Sequence, residues 1–437
     1  MLKNVNRDAL ESLVIRVPVI LFSFLYSIFI IRMLGPEGNG LYAFMMAGVS
    51  LSIVAAGFDA KRSTLFHLAK SQFESRKVLG FAIKVHIASI VFVLLVLVFA
   101  YLFRTRFTYL LIPEEYFTIF YMVFFFLSFV FQHLTALCQT ILQSIKAFRS
   151  INKFLLISNL IQVVLFGLGY LYVETRQDSI SFLTGFSLIL IAQAVTFMLS
   201  FYYTIKKYQG GLAFDANDVK KPFLEYARLG YVNQIGHFLN KRLDVWFVEI
   251  FSGLTNLGLY ALASQLTNFL LLAAAPIEEV LKPYLITLDR KQGNVMFLRY
   301  FKLILYFILF LAFILYWVAP WIVTVLFGEE FIGAISALRI LCLGVVLVNV
   351  KRVLLNYNRS YNDLNYNIWA QWFGVLCTII FGLLLIPKFG IIGAAWTSVI
   401  AYGSAAIILA TIFLIKQQIS IWKLFIPTSS EIADFKT

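Results

Sequence analysis

Six polar side chains recur at helical spacing between residues 233 and 244: Asn233, Gln234, His237, Asn240, Lys241 and Asp244. Projected at 100° per residue they share an arc of about 120°, and the rest of the circumference is mainly apolar. Lys241 lies near the middle of an apolar stretch, roughly 229–250, where a charge costs about 2.5–3.5 kcal/mol unless it faces a partner or a wet cavity. Two readings are open. The stripe lines a polar cavity, or it is buried in a bundle with Lys241 and Asp244 paired one turn apart. Six polar groups exceed what one ion pair needs, which favours the cavity. A carboxylate in a dry site is held protonated and releases its proton when the cavity opens. Asp244 is the first choice for such ion coupling. Asp59 is the second, although it also reads as a helix-end residue beside Lys61 and Arg62. His237 either shares proton handling or is a hydrogen-bonded structural histidine.

Other charges interrupt apolar stretches. Arg16, on one face with Ser23 and Ser27, either snorkels to the headgroups or faces the cavity. Arg339 lies about eight residues, some 12 Å, inside its stretch, near mid-bilayer, and reads equally as cavity or scaffold. Lys84, His86 and Lys302 are shallow and read first as snorkelling groups. Arg242 and Glu249 share a different face from Lys241. Of Glu278 and Glu279, beside Pro276 and Lys282, one is a candidate for the cavity.

The elements that must position these groups are transmembrane helices. The chain has 437 residues, 61% apolar and only 13% charged, with a mean hydropathy of +0.86. Soluble chains carry about 25% charged residues. A soluble protein and a disordered one are therefore excluded, and so is a single anchor with a soluble head. Twelve apolar stretches are long enough to cross a bilayer: about 13–33, 41–58, 80–103, 117–138, 154–173, 180–203, 229–250, 257–278, 300–320, 331–350, 368–386 and 392–415. Alternate sides of these stretches hold 24 and 5 Lys and Arg, the five being Arg32, Arg104, Arg106, Arg176 and Lys388. The positive-inside rule then places both termini in the cytoplasm. The net charge of +14 is thus topological, and nucleic acid is not expected as a partner. The first stretch has no small-residue cleavage site after it and reads as a retained helix.

Two turns recur half a chain apart. Gly40-Leu41-Tyr42-Ala43 returns as Gly258-Leu259-Tyr260-Ala261, and Gly35 returns as Gly253. Leu111-Ile112-Pro113-Glu114-Glu115-Tyr116 is echoed by Leu326-Phe327-Gly328-Glu329-Glu330-Phe331. The expected fold is an all-α polytopic membrane protein of twelve transmembrane helices in two six-helix lobes. The expected boundaries are residues 1–205 for the first lobe, 206–228 for a cytoplasmic linker, and 229–437 for the second lobe with a short tail. An even number of helices per lobe makes the repeats parallel, the plan of a transporter that rocks two lobes about a central site.

No loop is large enough for a catalytic domain, and no phosphate-loop, HExxH or GxSxG motif occurs. No enzyme activity, ATP site, metal or cofactor is expected. Cys138, Cys342 and Cys377 lie in apolar stretches without metal or disulfide spacing and read as packing residues.

Arg32-Met33-Leu34-Gly35-Pro36-Glu37-Gly38-Asn39-Gly40-Leu41-Tyr42 resembles the "LGPxxxGxY" signature of bacterial Wzx-type polysaccharide-biosynthesis flippases, within the superfamily that also holds the MATE drug exporters. Phe327-Gly328-Glu329-Glu330-Phe331 with Leu338-Arg339-Ile340-Leu341 is similar to its "FGxxF…lriL" stretch. Ile386-Pro387-Lys388-Phe389-Gly390 through Ala395 is similar to its "IPxyGixGAA" turn. These turns carry the fold rather than the cargo. The resemblance implies a MATE-like flippase of the cell inner membrane that moves an undecaprenyl-diphosphate-linked oligosaccharide, such as an O-antigen repeat unit of lipopolysaccharide, to the outer leaflet. It also implies antiport-type drive by a proton or sodium gradient, with a polysaccharide polymerase and an initiating transferase as partners. Arg16 then faces the diphosphate, for which a guanidinium fork is suited. Arg16, Lys241 and Arg339 against Asp244 make the cavity cationic. A drug exporter for organic cations is instead expected to line an acidic cavity with aromatics, and Trp246, Trp369 and Trp372 keep that alternative in view. A peptidoglycan-precursor exporter of the same superfamily is the other form of that alternative, and twelve helices rather than the usual fourteen count against it. A polymerase or transferase is the third reading, disfavoured by the short outer loops.

Overall fold

The computed structural model describes residues 2–70, 73–103, 109–176, 182–215, 217–361 and 363–426. Arg104 and Arg106, counted above, lie outside the described residues, as do the side chains of Arg176, Glu279 and Lys282. Every regular element described is helical: α1 (Leu2–Gly57), α2 (Ala60–Lys70), α3 (Ser75–Phe103), α4 (Ile119–Ser144), α5 (Phe148–Arg176), α6 (Phe182–Lys207), α7 (Asn217–Thr287), α8 (Arg290–Trp321), α9 (Ala334–Ser360), α10 (Leu364–Gln417) and α11 (Ile421–Phe425). Among the described residues, nine helices are long and apolar enough to cross a membrane.

Three of the nine are too long for one crossing. α1, α7 and α10 have 56, 71 and 54 residues, which at 1.5 Å per residue exceeds twice the roughly 30 Å hydrocarbon core. Each is broken at one glycine: Gly35 (φ 64°, ψ −178°), Gly253 (φ 79°, ψ 172°) and Gly390 (φ 56°, ψ −131°). A side chain is strongly disfavoured in the conformation of the first two. Gly35 and Gly253 are the equivalent glycines of the sequence repeat, and they adopt the same backbone. The second echo is also matched: Glu114–Tyr116 and Glu329–Phe331 both form a single 3-10 turn. The repeat is therefore one of structure as well as of sequence.

The chain groups into two compact units, Phe22–Trp246 and Phe247–Thr437 with Met1–Leu21. The lobes expected from sequence cut the chain near 206–228, whereas the compact units group contacts and divide inside α7. Residues 217–228, read as linker, are the first turns of α7. Val219 and Phe223 there are fully buried with Ala60, Leu68, Val78 and Ile141. Residues before them are docked on α3: Ala213 N–H donates to Arg76 O (3.0 Å) and Lys84 Nζ to Phe214 O (2.6 Å).

The core of the first unit is aromatic. Phe124, Phe125 and Phe129 of α4 and Phe186 of α6 are fully buried, with Phe186 edge-on to Phe124 at 4.7 Å. In the second unit Phe297, Tyr357 and Phe413 join α8, α9 and α10, with ring centroids 4.5–5.0 Å apart. Leu95, Phe99 and Leu102 of α3 and Phe313 and Trp317 of α8 point outward and are exposed. Surfaces of that kind suit lipid, where packing rather than the hydrophobic effect joins helices.

Candidate functional site

The first part of α7, to Trp246, is fastened to its unit at both ends. At the start, Ser63 Oγ donates to Phe223 O (2.8 Å) and the Phe66 and Tyr226 rings stack at 4.1 Å. At the far end, Trp246 Nε1 donates to Leu110 O (2.9 Å), and its ring packs on Phe44 and Phe238. Between these anchors the polar stripe is graded across its width. Asn240 and Asp244, one turn apart, are buried. Asn233 and Gln234 are half-buried, while His237 and Lys241, also one turn apart, are exposed. One edge of the stripe is packed and the other is open. Lys241 is exposed midway along the apolar first part of α7.

Asp59 joins this stripe through α7. Only 6% exposed, it lies against Gly230, where an added Cβ would fall 1.7 Å from its Oδ2. Gly230 is seven residues before His237 and fourteen before Asp244, so it heads the same face. Asp59 pairs with Arg62 at 3.5 Å. Burial raises its carboxyl pKa above the usual range, opposed by Arg62 and then Lys61.

Arg16 and Arg339 belong to the other compact unit. Arg16 is half-buried. Ser23 and Ser27, which share its face in projection, are engaged: Asn159 Nδ2 donates to Ser23 (2.8 Å) and Ser27 donates to Phe24 O (2.7 Å). Arg339 Nε donates to Tyr316 O at 3.4 Å, with the guanidinium 5.2 Å from that ring's centroid. These partners are scaffold.

The shallow charges divide. Lys84 is exposed and reaches a loop carbonyl, whereas Lys302 and His86 are buried and do not snorkel. His86 Nδ1 bonds Ala82 O (2.8 Å) and its ring lies 4.5 Å from that of His133. Sequence reading missed this pair, since contact between α3 and α4 leaves no periodic trace. Of the two glutamates, Glu278 is buried and accepts from Arg352 Nη2 and Asn356 Nδ2, each at 3.0 Å. Among the described residues no three His, Cys, Asp or Glu side chains are placed to hold a metal, and Cys138, Cys342 and Cys377 are buried thiols.

Nine apolar helices long enough to cross a membrane among the described residues, three of them broken at a glycine and one carrying a polar stripe, define a polytopic helical membrane fold. The chain is similar to an inward-facing multidrug resistance MATE family transporter of the MOP superfamily, with TM-score 0.72 and 14% identity over 94% of this chain and 100% of that one. It is similar to the lipid II flippase MurJ in an inward closed conformation, with TM-score 0.68 and 17% identity over 93% and 89%. A third likeness is a MOP superfamily transporter from Pyrococcus furiosus, with TM-score 0.61 and 14% identity over 95% of each. An uncharacterized membrane protein of Methanocaldococcus jannaschii is 30% identical over 183 residues, which covers 40% of this chain and about a third (35%) of that one. Residues 7–288 match the polysaccharide biosynthesis protein family. The chain belongs to that family.

Proposed function

We propose that the chain is a flippase for a lipid-linked oligosaccharide, moving an undecaprenyl-diphosphate-linked repeat unit from the inner to the outer leaflet of the cytoplasmic membrane. The family match supports the polysaccharide role, and the MATE and MurJ likenesses support a transporter rather than an enzyme. The observation that carries the reading is the α7 stripe, with Lys241 exposed in mid-helix and Asn233, His237 and Asn240 beside it. Lys241 takes the anionic diphosphate, and the amides and imidazole take sugar hydroxyls. Arg16 is a further cation proposed for the diphosphate, while the Tyr316 contacts of Arg339 suit a scaffold arginine. Asp244 and Asp59 are the carboxylates assigned to coupling with a proton or sodium gradient.

We take each broken helix as two crossings, which makes twelve among the described residues and puts both termini on one side; the 24-to-5 division of basic residues supports the cytoplasmic side. A polysaccharide polymerase and related assembly proteins are the proposed partners.

Binding tests the cargo. Undecaprenyl-diphosphate oligosaccharide should stabilise the purified protein by about 2.7 kcal/mol at a hundredfold excess over Kd, read as a rise in Tm. Lys241→Ala should remove most of that shift while leaving the unliganded Tm near wild type. An equal shift in wild type and variant would remove Lys241 from the contact. Stabilisation by organic cations alone would move the protein to the drug-exporter reading.

A further inference from the structure

The joint between α1 and α2 holds the two consecutive positive-φ residues among the described non-glycine residues. Phe58 (φ 46°) and Asp59 (φ 51°) are consecutive left-handed residues. Such a conformation is rare for a bulky side chain and costs of order 1–3 kcal/mol per residue, so it persists only where the surroundings impose it. Here the surroundings are α7. The Phe58 ring lies 5.0 Å from that of Tyr231, and Tyr231 Oη donates to Ala55 O (3.3 Å). Asp59 fills the place that a side chain at 230 would occupy, with Arg62 Nη1 3.3 Å from the same point. Gly230 begins the face that continues through Asn233, His237, Lys241 and Asp244. The stripe thus receives its first polar group from the joint between α1 and α2.

We propose that Asp59 is a positioning residue: its carboxylate, seated in the notch at Gly230 and held there by the left-handed joint, sets the depth and rotation of α7 and so places the polar stripe. The consequence for transport rests on the flippase reading, but the fit itself does not. Fit and charge are separable. Asp59→Glu keeps the charge and adds a methylene where there is no room. Asp59→Asn keeps the shape and removes the charge.

The probe is Gln234→Cys, half-buried one turn beyond the notch, in a background with Cys138, Cys342 and Cys377 replaced by alanine. Labelling by a membrane-impermeant maleimide reads the accessibility of this helix without any cargo. Asp59→Glu should speed labelling about fivefold, as local opening of the contact predicts, while Asp59→Asn stays within about twofold. Gly230→Ala should act like Asp59→Glu, and adding Asp59→Gly should return the rate to that of the parent. Faster labelling in Asp59→Asn but not in Asp59→Glu would overturn the proposal in favour of a charge effect. So would unchanged labelling in both Asp59→Glu and Gly230→Ala. If Gly230→Ala does not fold, the Glu and Asn variants alone decide. Absence of flipping with the labelling pattern as expected would reject the cargo and leave the positioning role standing.

Discussion

Lys241 and Glu278 are both charged groups inside apolar helices, and their surroundings give them different work. Lys241 is exposed on a graded polar stripe. Glu278 is 4% exposed and accepts from Arg352 and Asn356. A buried carboxylate that loses its cation costs about 3–5 kcal/mol. Arg352→Met should therefore destabilise the detergent-solubilised protein by about 3 kcal/mol in unfolding titrations, whereas Lys241→Ala should change stability by less than about 1 kcal/mol. A silent Arg352→Met would make the pair structurally dispensable. The lysine was legible in the sequence because a charge in the middle of an apolar stretch stands out on one helix. The role of Glu278 was not, since its cation lies 74 residues away, a separation that periodicity does not reach. The engagement of Ser23 by Asn159 was hidden for the same reason.

At the scale of elements, two features carry predictions. Gly35 and Gly253 hold conformations that an added Cβ strains, so Gly35→Ala and Gly253→Ala should each destabilise by about 1–3 kcal/mol. Their effects should add, because each acts within its own copy of the repeat. Thermal unfolding of the two single variants and the double variant measures this. The second feature is His67 of α2, 3% exposed and packed among Phe66, Phe73, Phe223 and Tyr226. Burial depresses its pKa below the ordinary 6.5, opposed by the Pro222 backbone, and Lys70 depresses it further. A base with a depressed folded pKa contributes stability that is full above 6.5 and is lost as pH falls through the folded value. The contact between α2 and the start of α7 should therefore loosen below about pH 6.5. Hydrogen exchange in residues 60–70, corrected for intrinsic rates, should show lower protection at pH 5.5 than at 7.5, and His67→Phe should abolish the difference. The repeat was legible because its turn residues recur. The α2–α7 packing was not, since residues 206–228 read as a polar linker from their lysines, while Val219 and Phe223 among them are core.

For the whole molecule, composition and the alternation of basic loops were enough to read a polytopic helical protein. The three glycine breaks explain how nine long helices among the described residues are compatible with twelve apolar stretches. The identity of the cargo was not legible, because selectivity of the proposed flippase would follow the shape of a cavity that many sequences build. The most direct test of the flippase account is transport itself. Purified protein is reconstituted in proteoliposomes with undecaprenyl-diphosphate oligosaccharide, and glycan exposed on the far leaflet is captured by an impermeant lectin. The account predicts protein-dependent exposure that rises with an imposed ion gradient and falls about tenfold or more in folded Lys241→Ala, the loss of one charge-assisted contact made during translocation. Exposure no faster than in protein-free vesicles across several glycans, together with gradient-driven efflux of organic cations, would contradict it.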